Sequence, residues 1–438
     1  MPVTSDLEQL RDVDGKALYR KITWRIIPYL FFLYILAYLD RVNVGFAAVE
    51  FKHDLSLSDT VYGYGAGIYF IGQLLFDLPS NLILGKVGPR KWIARIMISW
   101  GIVATCMMFV VGAKSFFAMR LLLGITEAGF FPGIILYLTY WFPSRERARA
   151  VAKFMTATAI AGVVGAELSR VLLKLEGTSG LHGWQWLFLV EGIPTVLLGV
   201  SVLFVLRDHP RDAPWLSDSE KQWLDAELER DRNEGGATGN HRLMDAVKMP
   251  MVWVLAVIFA LNQLGVYTVN LWMPTILKSV LHTSGPAGDA LVGRFGAMPY
   301  LAAAIATVLI GWSSDRTGER RFHIAGCLLL GFAGFAWAAY AHSLVATLLA
   351  FGVAAIGYWS MMGPFWALPT RVLGGQAAAG GVAIITMIGS LGGFFGPAVT
   401  GKLKDMTHNY TVGLLVIGSL AVVAAALCLL IKPARKDA

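Results

Sequence analysis

The sequence predicts an all-α integral membrane protein of twelve transmembrane helices in two six-helix halves that repeat one another. Three observations carry that prediction. Hydrophobic residues make up 56% of the 438 and charged ones only 15%, too few charges to cover a soluble surface of this size. The apolar residues come in long runs rather than in the stripes of soluble helices. A short loop sequence also recurs in the same place in each half.

A hydrocarbon layer of about 30 Å takes about 20 helical residues. Such spans are read at 26–47, 61–84, 93–113, 116–140, 151–174 and 185–206, and again at 251–277, 290–313, 323–341, 345–368, 378–402 and 411–431. Gly and Pro inside some of them are tolerated where neighbours re-satisfy the backbone. The chain thus divides into an N-terminal half (1–206), a hydrophilic connector (207–250) and a C-terminal half (251–438). In the connector, Ser217-Asp218-Ser219-Glu220 has the form of a capping box ahead of Trp223, Leu224 and Leu228, which predicts a short amphipathic helix.

The formal charge of +8 is placed for a membrane rather than for nucleic acid. Lys and Arg gather before the first span (Arg11 to Arg25), between the second and third (Lys86 to Arg95), after the fourth (Arg145 to Arg149), after the eighth (Arg316 to Arg321) and in the tail (Lys432 to Lys436). The intervening turns are poor in them. This is the positive-inside pattern: a bacterial plasma membrane protein with both termini in the cytoplasm and anionic headgroups beside its basic loops. The N-terminus is charged before any apolar run, so no cleavable leader is expected and the first helix serves as the insertion signal. The three cysteines lie in apolar runs and read as packing thiols. The histidines lack paired ligand spacing, and neither a Walker loop nor a nucleophile elbow occurs. No enzyme chemistry, metal or cofactor is expected, and any work is driven by an ion, with protons the coupling ion.

Leu84-Gly85-Lys86-Val87-Gly88-Pro89-Arg90-Lys91 follows the second span, and Ser314-Asp315-Arg316-Thr317-Gly318-Glu319-Arg320-Arg321 follows the eighth; Gly88 and Gly318 are 230 positions apart. A Gly that turns the chain and basic residues held at one membrane face account for the pattern. Parallel six-helix repeats are an architecture that transporters use around a midplane site. Over nearly its whole length the sequence resembles the major facilitator superfamily, whose loop signature Asp315-Arg316-Thr317-Gly318-Glu319-Arg320-Arg321 matches well. The resemblance implies cytoplasmic gate loops at Gly88, Arg90, Asp315, Arg316, Gly318 and Arg320. The first copy departs from the pattern, since Gly85 stands where the Asp is expected.

Ionisable residues deep in a bilayer are functional by default. Asp40 and Arg41 lie in the first span, Arg120 and Glu127 in the fourth, the latter two on one helical face. Two acids and two bases at matched depth could simply neutralise one another, but buried ion pairs stabilise weakly against apolar packing. The functional reading is a proton switch: an anionic substrate competes for the Arg, and the carboxylate that loses its partner is easier to protonate. With the 230-residue offset, Asp40 maps to Asn270, Arg120 to Ala350 and Glu127 to Gly357. The first half is therefore expected to handle charge, while uncharged groups of the second (Gln263, Tyr267, Asn270 and Thr386) shape the pocket.

Leu39-Asp40-Arg41-Val42-Asn43, Arg120 with Glu127-Ala128-Gly129-Phe130-Phe131-Pro132, Trp141-Phe142-Pro143, and Gly183-Trp184-Gln185-Trp186-Leu187-Phe188 with Glu191-Gly192 are similar to the anion:cation symporter branch of the superfamily. Its members carry tartrate, sugar acids and aromatic carboxylates. The resemblance implies that Asp40 and Glu127 take protons, that Arg41 meets the substrate carboxylate and that Arg120 pairs with Glu127. Tyr69, Gln73, Thr158, Trp366 and Thr386 are further pocket candidates, each equally readable as packing. The expected function is proton-coupled uptake of a small carboxylate by a monomeric carrier, with export of organic anions or drugs on the same fold as the alternative. Glu167 and Glu191 have no assigned role.

Overall fold

The computed structural model describes residues 13–143, 146–147, 150–151, 157–234, 247–281, 286–372 and 375–431. Among the described residues, twelve long helices form the bundle. The first six are α1 (Gly15–Phe46), α2 (Asp59–Val87), α3 (Pro89–Cys106), α4 in two pieces (Ala113–Glu127 and Phe130–Thr139), α5 (Ala157–Leu172) and α6 (Gly183–Val205). The second six are α7 (Pro250–Leu281), α8 (Pro286–Thr317), α9 (Arg321–Ala338), α10 in two pieces (Leu344–Ser360 and Met362–Val372), α11 (Gly375–Thr407) and α12 (Thr411–Leu430). Among the described residues, eleven of these helices are long and apolar enough to cross a membrane, while α5 has 16 residues. Large apolar side chains such as Leu197, Phe204, Leu301 and Val308 stay exposed on the outside of the bundle, as a lipid-facing surface requires.

The helices follow the predicted spans but differ at their ends. α1 starts at Gly15 rather than near residue 26, because Asp14 accepts the Lys16 and Ala17 N–H groups and caps it. α2 stops at Gly88, whose φ of +94° suits only glycine, and Pro89 opens α3 as its first residue. The connector folds as expected, into a helix (Asp218–Glu234). Ser217 Oγ accepts the Glu220 N–H at 3.2 Å while Glu220 Oε2 accepts the Ser217 N–H at 2.8 Å, which is the reciprocal box. Lys21 Nζ reaches Glu220 at 2.8 Å, and Trp223 packs edge-on to Tyr19, tying this helix to the start of α1. Partial burial works against ionisation of Glu220, but the bonds from Lys21 and Ser217 hold it below the usual carboxylate range.

The halves meet along a seam at the end of the bundle remote from Gly15 and Leu430. There Gly45 of α1 lies against the Asn270 carbonyl of α7, and Gly63 and Gly67 of α2 lie against Pro397 and Phe394 of α11. A Cβ at any of the three would collide with facing backbone, so small residues permit the close approach. Polar clasps reinforce the seam. Lys278 Nζ bonds both Glu50 oxygens at 2.7 and 2.9 Å, the Thr60 N–H donates to Asp405 at 2.7 Å, and Tyr62 donates to the Leu271 carbonyl at 3.3 Å.

Wedging this seam should open it. Gly63→Val should increase labelling of a Leu271→Cys thiol by an impermeant maleimide roughly tenfold or more, since an overpacked contact costs about 1–3 kcal/mol. An unchanged labelling rate would contradict the packing account.

Candidate functional site

Midway along the helices, between the halves, a cavity of about 100 Å³ is lined by Tyr34 and Arg41 of α1, Phe70, Gln73 and Asp77 of α2, Glu127 and Phe130–Pro132 of α4, and Phe259, Gln263, Tyr267, Thr386, Gly389 and Ser390 of the second half. Among the described residues, the three charged groups of this lining all come from the first half. The second half offers amide and hydroxyl groups and an aromatic wall. On the side toward the seam, Phe70 and Tyr267 close ring against ring across the two halves, with centroids 4.2 Å apart.

At the centre is an ion pair. Arg41 Nη2 lies 2.5 Å and Nε 2.8 Å from the same Glu127 oxygen, Oε1. The Glu127 side chain is fully buried, whereas 13% of the Arg41 side chain remains exposed in the cavity. Arg41 Nε also donates to Tyr69 Oη at 3.0 Å, and Gln73 Nε2 donates to the same hydroxyl at 2.7 Å. Tyr69 and Gln73, one turn apart on α2, thus hold the guanidinium against α4. Glu127 Oε2 has no hydrogen-bond partner among the described residues.

Arg120 does not pair with Glu127, contrary to expectation. Seven residues along one helix face amount to a separation of about 10 Å, whereas Arg41 approaches sideways from α1. Arg120 instead donates to the Ala66 carbonyl at 3.0 Å and lies 4.9 Å from the centroid of the Tyr69 ring, buried behind it. It backs the site as a cation–π support.

The other expected pocket residues divide. Tyr267 and Thr386 line the cavity, although the Thr386 hydroxyl is turned back to the Val382 carbonyl at 2.7 Å. Trp366 stands one layer behind, edge-on to Phe259 at 5.0 Å. Asn270 belongs to the seam: its amide donates to Tyr38 Oη at 3.3 Å and accepts from Tyr300 Oη at 3.0 Å. The Thr158 side chain lies outside the described residues. Asp40 is buried on the face of α1 away from the cavity. Glu167, 55% exposed, pairs with Arg170 at 2.5 Å.

Sequence reading passed over Asp77, although a carboxyl between Phe76 and Leu78 in a hydrophobic span met the same criterion as Asp40. Its role depends on a break in α4, where Ala128 is extended and Gly129 is left-handed with φ of +84°. Asp77 Oδ1 accepts the Gly129 N–H at 2.7 Å and so caps the second piece of α4, immediately after Glu127. In the two loops expected to act as gates, Gly88 and Gly318 both have positive φ. Arg320 bonds Asp315 at 2.6 Å and Ser314 at 2.8 Å. Arg316 lies over Trp312. The first loop, with Gly85 in place of an acid, draws its carboxylate from the end of α6: Asp208 accepts the Arg90 N–H at 2.8 Å, and Arg90 Nε donates to the Leu203 carbonyl at 2.7 Å.

Comparison with known proteins agrees with this architecture. The profile of the Major Facilitator Superfamily matches residues 30–397. The chain belongs to that superfamily. It is a multi-pass membrane transporter, not an enzyme. It is 45% identical to an Agrobacterium vitis protein named "Putative tartrate transporter", over 98% of this chain and 93% of that one. It is 39% identical to the "Quinolone resistance transporter" of Acinetobacter baumannii, over 91% of each. Among solved structures, a bacterial homologue of the human lysosomal transporter Spinster, in an inward-facing and occupied conformation, superposes with a TM-score of 0.74 at 19% identity, covering 94% of this chain and 96% of that one. That likeness concerns the fold alone.

The Asp77 clasp predicts an order of stabilities. Asp77→Ala leaves the buried Gly129 N–H without its acceptor and should cost about 1–3 kcal/mol, read as a lowered Tm in detergent. Asp77→Asn keeps an acceptor oxygen and should lose less. Equal losses in the two variants would contradict the clasp.

Proposed function

We propose that this transporter carries a small organic carboxylate, of the tartrate-like hydroxy-acid or aromatic-acid class, into the cell together with protons. The observation that supports this best is Arg41, the single cation of the cavity lining among the described residues, already engaged by Glu127. With Asp77 also ionised, one cation faces two carboxylates, and an incoming anion meets a net negative site. Protonation of Glu127 releases the guanidinium, whose planar fork suits a carboxylate. Anion and proton then favour each other's binding, which is the thermodynamic requirement for symport. The relative named for tartrate fits this chemistry, and the anion:cation symporter motifs cover the same residues.

In this reading the basic loops lie in the cytoplasm of a bacterium and the glycine-lined seam faces outward, so the cavity opens inward. The gate loops around Gly88 and Gly318 meet again when the halves rock to the other state. Gln263, Tyr267 and Thr386 contribute hydrogen bonds to the substrate's hydroxyl or ring substituents. Export is the competing reading, which the quinolone-resistance relative favours, and direction of coupling separates the two.

In proteoliposomes, an inward proton gradient should drive tartrate accumulation. Glu127→Gln should abolish that accumulation while tartrate–tartrate exchange continues. Arg41→Lys, which loses the planar fork, should weaken tartrate binding by roughly tenfold or more. Proton-driven efflux of a quinolone without tartrate uptake would establish the exporter instead.

A further inference from the structure

A second group of buried acids lies in the first half, outside the cavity. Asp40 and Asn43 of α1 and Glu191 of α6 are each 2% exposed. Asn43 Nδ2 donates to Glu191 Oε2 at 2.8 Å and to Asp40 Oδ1 at 3.4 Å, so one amide bridges two carboxyls. Neither acid has a Lys or Arg within ion-pair distance among the described residues. The groups that face them are few. α3 contributes the uncharged Trp100 indole, α4 contributes Arg120 and Glu127, which act on Asp40 from a distance, and α5 presents Gly165 to the neighbouring Leu39 and Val42.

Donor counting shows what the group lacks. Asp40 Oδ2, Glu191 Oε1 and Asn43 Oδ1 are all buried acceptors without a partner among the described residues. Both Asn43 N–H bonds are already committed. Two ionised carboxylates here would repel each other in a medium that screens poorly, and even with the Trp100 indole N–H given to Asp40, two acceptors would stay unsatisfied. A single added proton answers both problems. It forms an O–H bond on one carboxyl, and that O–H donates to the Asn43 carbonyl oxygen or to the other carboxyl.

We propose that Asp40, Asn43 and Glu191 form one proton-binding unit, in which the two carboxyls share an exchangeable proton across the Asn43 amide. The proton is taken from water and returned to water, and no other bond is made or broken. The unit adjoins the cavity through the chain itself, since Asp40 precedes Arg41. The symporter resemblance already implies that Asp40 takes a proton; what the structure adds is Glu191 as the second holder of that proton, with Asn43 as the bridge, and neutralising the unit removes negative charge from behind the guanidinium. This rests on the proton-symport reading above.

The test uses Glu191→Gln, which keeps an oxygen to accept the Asn43 N–H but removes the like charge. If the proton is shared, Asp40 alone holds it less well. The pH profile of tartrate uptake in proteoliposomes should then move by about one unit toward acid, and the infrared carbonyl band of a buried protonated carboxyl at neutral pH should diminish. A Glu191 that serves only as a hydrogen-bonding strut would leave both unmoved, and that result overturns the proposal. If the wild type shows no proton-driven uptake, the symport reading fails, and the infrared band alone decides the shared proton. Should Glu191→Gln not fold, Asn43→Ala removes the bridge and should shift the same band; an unshifted band again overturns the proposal.

Discussion

The Arg41–Glu127 ion pair is the constraint around which the rest of the site is arranged. An arginine is costly inside a bilayer, and its carboxylate partner is fully buried. The surrounding structure makes the pair tolerable without making it permanent. Tyr69 and Gln73 hold the guanidinium from α2, and Arg120 supports the Tyr69 ring from behind. The break after Glu127, capped by Asp77, fixes where α4 delivers its carboxylate. Arg41 Nε and Nη2 both bond a single Glu127 oxygen, which leaves the other oxygen without a partner among the described residues.

The two halves divide the work. Charges line the cavity from the first half, while the second supplies Gln263, Tyr267, Thr386 and aromatic packing. The half that carries charge also holds the Asp40–Asn43–Glu191 cluster. The halves are joined separately, by glycine contacts and the Glu50–Lys278 clasp along the seam. The charged lining and the seam contacts therefore rest on different residues and meet at the cavity wall, where Phe70 and Tyr267 touch.

Much of this was legible in the sequence, and the reasons are physical. Length and hydropathy mark the spans because lipid leaves a helix little alternative. The connector's capping box is a local signal, readable because both partners lie within four residues. Asp40, Arg41 and Glu127 stood out because charge in a hydrophobic run needs an explanation, and the same rule would have found Asp77. Helix ends were less legible, as the early start of α1 at Asp14 shows. Pairings between helices were the hardest to read. The family resemblance implied Arg120 for Glu127, while the lateral approach of Arg41 exists only in the packed bundle. Asn270 was likewise read as a pocket residue, and it is drawn into the seam by Tyr38 and Tyr300, side chains distant in sequence.

The central claim is that an anion and Glu127 compete for Arg41, so that substrate binding takes up a proton. Calorimetric titration of tartrate into the purified transporter, in buffers of differing ionisation enthalpy, reads that proton directly. Proton uptake on binding by the wild type, and its loss in Glu127→Gln, is the predicted result. Binding heats independent of the buffer in the wild type, or proton uptake undiminished in the variant, would contradict the account.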